Sequence, residues 1–239
     1  MFINLILKDF VIENKFNAMN LLEKIEEASS LGIKRIVIAP SYYDEESKTS
    51  IEEVKEIVED LNSYLKEKGE DIKLYPGNLI RDNYNNIKEF IDGKIGSIND
   101  TKYILLNTEE STDLKELIEI VYEFNLRNYT PIIVGPERIK EITKNYKNIN
   151  KLIDEGCLFQ LDIASINGEY GKEILKTAKT LKKKDIYSFI GFKDILKKKD
   201  INKDLEMISK KGLAILMKNS TIKNKEIAKK KKFKLFAGR

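Results

Sequence analysis

Thr130-Pro131-Ile132-Ile133-Val134-Gly135-Pro136-Glu137-Arg138 decides how the chain is read. A short apolar run stops abruptly at Gly135 and Pro136, and two opposite charges follow at once. A continuous apolar run of this length is a buried parallel strand, and such strands deliver polar residues to the carboxyl edge of the sheet, where active sites sit. Six further runs fit the same description: Phe2–Leu7, Arg35–Ala39, Ile72–Tyr75, Tyr103–Leu106, Leu158–Asp162 and Ile186–Ile190. Helical patterns separate them. The first carries Leu21, Leu22, Ile25 and Ala28 on one face. The second opens with a capping box, Ser50 and Glu53, continues as the stripe Ile51, Val54, Ile57, Val58, Leu61, Leu65, and stops at Gly69. Further helices are expected over Asp113 to Phe124, Asn148 to Glu155, Lys172 to Leu181 and Asn202 to Lys210, with Leu213 to Met217 as a last apolar piece. Strands alternating with helices of this length indicate βαβ units. The expected architecture is a single α/β domain over residues 1–220, a distorted seven-stranded TIM-like (β/α) barrel; a doubly wound open sheet is the alternative.

Composition removes several kinds of chemistry. The chain of 239 residues contains no histidine and one cysteine, Cys157. Histidine is the commonest transition-metal ligand and the usual base near neutral pH. Ser-His-Asp triads, Cys-His dyads, His-containing zinc sites and thiolate zinc sites are therefore excluded. A lone cysteine gives no internal disulfide and suits a reducing compartment. Phe2–Leu7 is too short for the core of a signal peptide and is followed by Lys8 and Asp9. No apolar run reaches the roughly 18 residues of a membrane span. These points lead to an expected cytoplasmic location. The net charge of +4 is mild and gives no reason to expect nucleic acid. Residues 221–239 form a distinct Lys-rich tail, with Lys229 to Lys232 consecutive and Phe233, Leu235 and Phe236 nearby. Such a tail is either a solvated end or a segment touching anionic lipid at the inner face of the membrane, worth about 1 kcal/mol per Lys near the surface.

Several stretches resemble one family over nearly the whole chain. They are Gly32-Ile33, Ala39-Pro40, Tyr75-Pro76-Gly77-Asn78, Ile98-Asn99-Asp100 before Lys102-Tyr103-Ile104-Leu105, Pro136-Glu137-Arg138, the long run Leu152 to Leu161, and Gly168-Glu169-Tyr170-Gly171. On these residues the chain resembles the bacterial PHP-type tyrosine phosphatases of capsule and exopolysaccharide operons. The resemblance implies a barrel whose strand ends hold a cluster of divalent metals, such as Mn, that polarise the phosphate and supply a hydroxide.

The departures from that pattern fall on the chemistry. Where the resemblance implies an opening His-x-His strand, this chain has Ile3-Asn4-Leu5-Ile6-Leu7-Lys8, and the acidic Asp-Asp-Gly that should follow is missing near Glu13-Asn14-Lys15. Where it implies ligands at later strand ends, the chain has Ser41, Leu79, Asn107, Gly135 and the stretch Phe192-Lys193-Asp194-Ile195. The reading therefore expects neither catalytic residues nor bound metal, and Lys193 would add positive charge where a cation should sit. What remains is Arg138, planar and suited to bidentate phosphate binding, or alternatively paired with Glu137 or another edge carboxylate. A phosphate-binding group of Arg138, Lys193, Ser41 and Asn78 is expected on the first view.

Three functions follow. The leading one is a degenerate, inactive phosphatase homologue that binds or regulates the tyrosine-rich tail of a bacterial tyrosine kinase. The second is a phosphatase with a rebuilt oxygen-ligand site for Mg or Mn, drawn from Asp44, Glu45, Glu109, Glu110, Glu137, Asp162 and Asp194. Each of these acids also has an ordinary role, several of them near helix starts. The third is a membrane-associated structural subunit using the Lys-rich tail.

Overall fold

The computed structural model describes residues 2–7, 15–42, 49–192 and 203–218. Lys193, the carboxylates Asp44, Glu45 and Asp194, the 220/221 boundary and the whole Lys-rich tail lie outside them. The described residues form eight strands: β1 (Phe2–Leu7), β2 (Arg35–Tyr42), β3 (Lys73–Pro76), β4 (Leu79–Arg81), β5 (Tyr103–Asn107), β6 (Thr130–Val134), β7 (Leu158–Asp162) and β8 (Phe189–Phe192). All their pairings are parallel. The order is β1-β8-β7-β6-β5-β4-β2-β3, and β1 also pairs with β2. The sheet therefore curls round until its first strand is bonded on both sides. This is the expected barrel-like α/β domain and not an open doubly wound sheet.

The eighth strand arises from a break. β2 holds β3 along its first half, Arg35 to Ile38, and β4 at its far end, Ser41 and Tyr42. Gly77 and Asn78 lie between the two pieces, so β3 and β4 occupy one position of a seven-position ring. The Gly77 N–H donates to the Ile38 carbonyl at 3.0 Å, and a Cβ on Gly77 would meet Val37 at 3.4 Å. Asn78 is buried and holds the break. Its amide Nδ2 donates to the Thr49 carbonyl at 3.0 Å, and its Oδ1 accepts from the Gly96 N–H at 2.9 Å.

Strand side chains alternate between two apolar groups, as the two-residue period of a strand requires. Val37, Ala39, Leu79, Leu105, Ile132, Val134, Leu158 and Phe189 form an inner group, joined by Ile215. Ile36, Ile38, Ile80, Ile104, Leu106, Ile133, Phe159, Leu161 and Ile190 face the helices. The helices are α1 (Lys15–Ser30), α2 (Ile51–Glu67), α3 (Asn85–Ile91), α4 (Leu114–Leu126), α5 (Lys140–Lys144), α6 (Asn150–Asp154), α7 (Ile163–Asn167), α8 (Lys172–Lys183) and α9 (Lys203–Lys218). Ser50 and Glu53 cap α2 reciprocally, as the sequence indicates, and Asp113 caps α4 through two backbone N–H groups. The two expected C-terminal pieces, Asn202–Lys210 and Leu213–Met217, are one helix. Gly212 sits within it because a Cβ there would lie 2.6 Å from the Ser188 carbonyl.

Asn78→Ala would strip a partner from both the Thr49 carbonyl and the Gly96 N–H. Chemical denaturation should record a loss of about 2–3 kcal/mol; an unchanged midpoint would mean that the break does not depend on this side chain.

Candidate functional site at the carboxyl edge of the barrel

The alternation that buries Val134 inward leaves the next residue of that strand at the rim. Gly135 adopts φ 69°, ψ 45°, a left-handed geometry that glycine takes without strain. It turns the chain into a tight 3-10 turn over Pro136–Arg138, whose three residues are all buried. The turn sends its two charges in different directions. Glu137, fully buried, accepts from the Asp162 N–H at 3.2 Å and from the Tyr187 hydroxyl at 2.9 Å. Arg138 folds back over Gly135.

The guanidinium of Arg138 is the centre of the site. Its Nη1 pairs with Asp162 Oδ2 at 3.4 Å, and its Nη2 donates to Asn107 Oδ1 at 3.1 Å and to the Val134 carbonyl at 3.2 Å. The Tyr170 ring lies 5.6 Å from it, in cation-π range. Both charged side chains are shielded from water, Arg138 at 7% exposure and Asp162 at 1%. Asp162 serves two other groups as well. Its Oδ1 caps α7 by accepting from the Ala164 N–H at 3.0 Å, and its Oδ2 accepts from the Tyr170 hydroxyl at 3.3 Å. Thr108 closes the rim by donating to the Val134 and Gly135 carbonyls.

This crowding of acids and phenols shifts their protonation. Burial, followed by the nearby Asp162 charge, raises Glu137 from the ordinary 4.5 to about 7. Burial, with Asp162 next in weight, pushes Tyr170 up to about 12, and burial with the neighbouring Glu137 carboxyl raises Tyr187 well above its usual range. Arg138 and Asp162 thus form a matched ion pair, with Glu137 held largely neutral beside it below neutral pH.

The residues expected from sequence are only partly brought together here. Arg138 is at the rim, and its acidic partner is Asp162 and not the adjacent Glu137. Ser41 ends the inward-facing row of β2, buried, with its hydroxyl unbonded among the described residues. Asn78 has both ends of its amide engaged by backbone at the strand break. Lys193 lies outside the described residues. Glu109 reaches toward the site through Asn107 Nδ2 at 3.5 Å, while Glu110 is exposed. The parts that sequence reasoning did not single out are Tyr170, Tyr187 and the bonding role of Asn107. The only signal for Tyr170 was its place within Gly168-Glu169-Tyr170-Gly171.

The residues present do not fit a transition-metal cluster. Among the described residues no three of His, Cys, Asp and Glu come together as a ligand group. A Cβ built on Gly135 would lie 2.4 Å from Arg138 Nε and 2.6 Å from its Nη2. A side-chain ligand at position 135 would have to pass through a guanidinium, and a cation beside that guanidinium would meet like charge.

Comparison with known proteins places the fold and the site in context. Residues 14–229 match the capsular polysaccharide synthesis family CpsB/CapC. The chain is 29% identical over 172 residues to CapC of Staphylococcus aureus, covering 71% of this chain and 67% of that one. It is 26% identical over 170 residues to the tyrosine-protein phosphatase YwqE of Bacillus subtilis, with the same coverage of both chains. Among solved structures, one of the metal-dependent tyrosine phosphatases YwqE from Bacillus subtilis and CpsB from Streptococcus pneumoniae superposes with a TM-score of 0.68 at 23% identity, covering 86% of this chain and 81% of that one. This likeness is one of fold.

Two measurements probe the site. Gly135→Ala should cost about 2–4 kcal/mol through left-handed strain and the clash with Arg138. The loss should shrink by about 1–2 kcal/mol when introduced into Arg138→Met, a coupling that only a guanidinium packed on Gly135 produces; strictly additive losses in urea denaturation would contradict the geometry. The second is pH. Because folding raises Glu137 above its unfolded value, its contribution to stability is fully present below 4.5 and is lost as pH rises through about 7. Glu137→Gln should flatten this decline, and a parent and variant with parallel stability profiles between pH 5 and 8 would count against it.

Proposed function

We propose, since this chain belongs to the CpsB/CapC family of capsular polysaccharide synthesis, that it is a phosphatase homologue working by binding and regulation in place of metal-dependent hydrolysis. The observation that carries the reading is the Arg138 guanidinium held over Gly135 by Asn107, the Val134 carbonyl and Asp162. An internal cation stands at the strand ends where a metal centre would need lone pairs. A guanidinium cannot be deprotonated near neutral pH and brings no nucleophilic water with it. In this reading the partner is the tyrosine-rich tail of a bacterial tyrosine kinase, approached from the cytoplasmic side.

The same geometry limits the mouth as a phosphate site. A charge-assisted Arg-phosphate contact is worth about 1.5–3 kcal/mol, but a phosphate reaching Arg138 must displace Asp162 and leave that buried carboxylate unpaired, which costs a comparable or larger amount. Ser41 Oγ and Arg138 Nε, buried without partners among the described residues, are the donors left for such an anion. Binding through the mouth is therefore weak, and a tail carrying several phosphotyrosines gains chiefly from effective concentration.

A second reading is favoured by one observation: Glu137, Asp162 and Asn107 Oδ1 bring oxygen donors to one rim, the donor type that suits Mg or Mn. Elemental analysis after purification from Mn-supplemented medium, together with hydrolysis of a phosphotyrosine peptide in Mn or Mg, separates the two. The expected result is substoichiometric metal and hydrolysis at the rate of a buffer blank. Turnover above that blank which Arg138→Ala or Asp162→Asn abolishes would establish the second reading and overturn the first.

A further inference from the structure

Gly168-Glu169-Tyr170-Gly171 forms the turn between α7 and α8, and Tyr170 reaches back from it to the buried ion pair. Tyr170 is 37% exposed, whereas the Arg138 and Asp162 side chains beneath it are 7% and 1% exposed. The phenol is thus a layer between the ion pair and solvent. It is a lightly held layer. Its hydroxyl donates to Asp162 Oδ2 at 3.3 Å, longer than the roughly 2.5–2.7 Å of a strong hydroxyl–carboxylate bond. The wholly buried Tyr187 hydroxyl, by contrast, meets Glu137 at 2.9 Å. The Tyr170 ring centre lies 5.6 Å from the guanidinium carbon, near the roughly 6 Å limit of a useful cation-π contact.

The turn that carries this side chain is bounded by two glycines. Gly168 has φ 85° and Gly171 has φ 94° with ψ 172°, the second a conformation essentially confined to glycine. Backbone N–H groups of the turn donate to Ala164, Ser165 and Gly168, all within α7 or the turn itself. Gly171 gives α8 no side-chain cap. Small residues at both ends of a short exposed segment are common at hinge positions.

The bonding beneath makes displacement of this side chain cheap. Moving Asp162 away from Arg138 strands a buried carboxylate. Moving Tyr170 does not, because Asp162 keeps the Ala164 N–H and the Arg138 guanidinium. What Tyr170 uncovers is the flat face of a guanidinium, which an aromatic ring fits. We propose that Tyr170 is a built-in cover: the chain's own phenol holds the seat that an incoming aryl phosphate takes, and the Gly168–Gly171 turn swings it aside. The ligand's ring replaces that of Tyr170, and its phosphate meets the Arg138 charge with Asp162 still in place. This inference rests on the reading of the mouth as a weak anion site and adds to it a selectivity for aryl groups.

The test is calorimetry on the full chain with phenyl phosphate and, as the alkyl comparison, glycerol phosphate. A cover closed about nine-tenths of the time raises an apparent Kd about tenfold. Tyr170→Ala should therefore tighten phenyl phosphate about five- to tenfold, and Tyr170→Phe, which loses only the hydroxyl, about two- to threefold. Tyr122→Ala, an exposed tyrosine on α4, should leave affinity unchanged. Glycerol phosphate should gain far less from Tyr170→Ala than phenyl phosphate does. Urea midpoints confirm that the variants fold. Weaker binding by Tyr170→Ala would make the ring a wall of the site, and unchanged binding would remove it from the seat; either overturns the proposal. Equal gains for the two phosphates would overturn the aryl seat. Motion is read separately. The chain has no tryptophan, so Tyr170→Trp carries the sole indole, and saturating phenyl phosphate should raise its quenching by acrylamide. Unchanged quenching at saturation would overturn the cover while leaving binding at the mouth intact. Absence of phenyl phosphate binding in every variant, Tyr170→Ala included, would refute the mouth as an anion site and the cover with it.

Discussion

A single buried ion pair, Arg138 with Asp162, organises the open end of this barrel. Burying two charges is costly unless each finds excellent geometry and further hydrogen bonds. Here the requirement is met by recruiting neighbours. The guanidinium draws in Asn107 from β5 and the Val134 carbonyl from β6, and the carboxylate comes from β7 while also capping α7. Three adjacent strands are thereby tied at their carboxyl ends by one side chain. The arrangement is possible only because residue 135 has no Cβ. Glycine here serves a close approach and a left-handed turn at once; Asn and Asp take such turns elsewhere in the chain, so it is the close approach that requires glycine.

Much of the architecture was legible in the chain, because buried parallel strands announce themselves as apolar runs and the amphipathic helices as stripes. The misses have identifiable causes. The sequence reading has one strand, Ile72–Tyr75, before Tyr103, yet the chain resumes as β4 after Gly77-Asn78, because Asn78 can bond backbone on both sides of the break. The last strand was read as Ile186–Ile190 but runs Phe189–Phe192. Ile186 and Tyr187 are as buried as strand residues, and apolar content alone does not say where a ladder begins. Gly212 reads as a helix stop by propensity; packing against Ser188 overrides that. Short helices such as α5 and α7 carry too few turns to show a period, whereas α6 lies within the helix expected over Asn148 to Glu155.

The site was harder to read for a different reason. Sequence placed Glu137 beside Arg138 and left open whether Glu137 or another edge carboxylate pairs with it. In a 3-10 turn successive side chains diverge by about 120°, so the two adjacent charges end up in separate surroundings. Glu137 goes to Tyr187, and Arg138 goes to a carboxylate one strand further on. Ser41, Leu79 and Gly135, at positions where the resemblance implies metal ligands, were visible residue by residue. The place of the Arg138 guanidinium was not, since a side chain folding back over its own strand end leaves no mark in composition or spacing.

The two arginine and lysine populations differ in how their charge is settled. At the mouth, positive charge is enclosed, matched one to one and fixed by directional bonds; exchange with an outside anion means exposing a carboxylate with 1% of its side chain in solvent. On α8 (Lys172–Lys183), Lys172, Lys176, Lys179 and Lys183 are exposed on flexible stems, and an incoming anion there displaces only water and counterions. An outside anion therefore meets a lower barrier on the helix face than at the strand ends. One arginine, given a glycine to lie against, makes those strand ends a closed polar core.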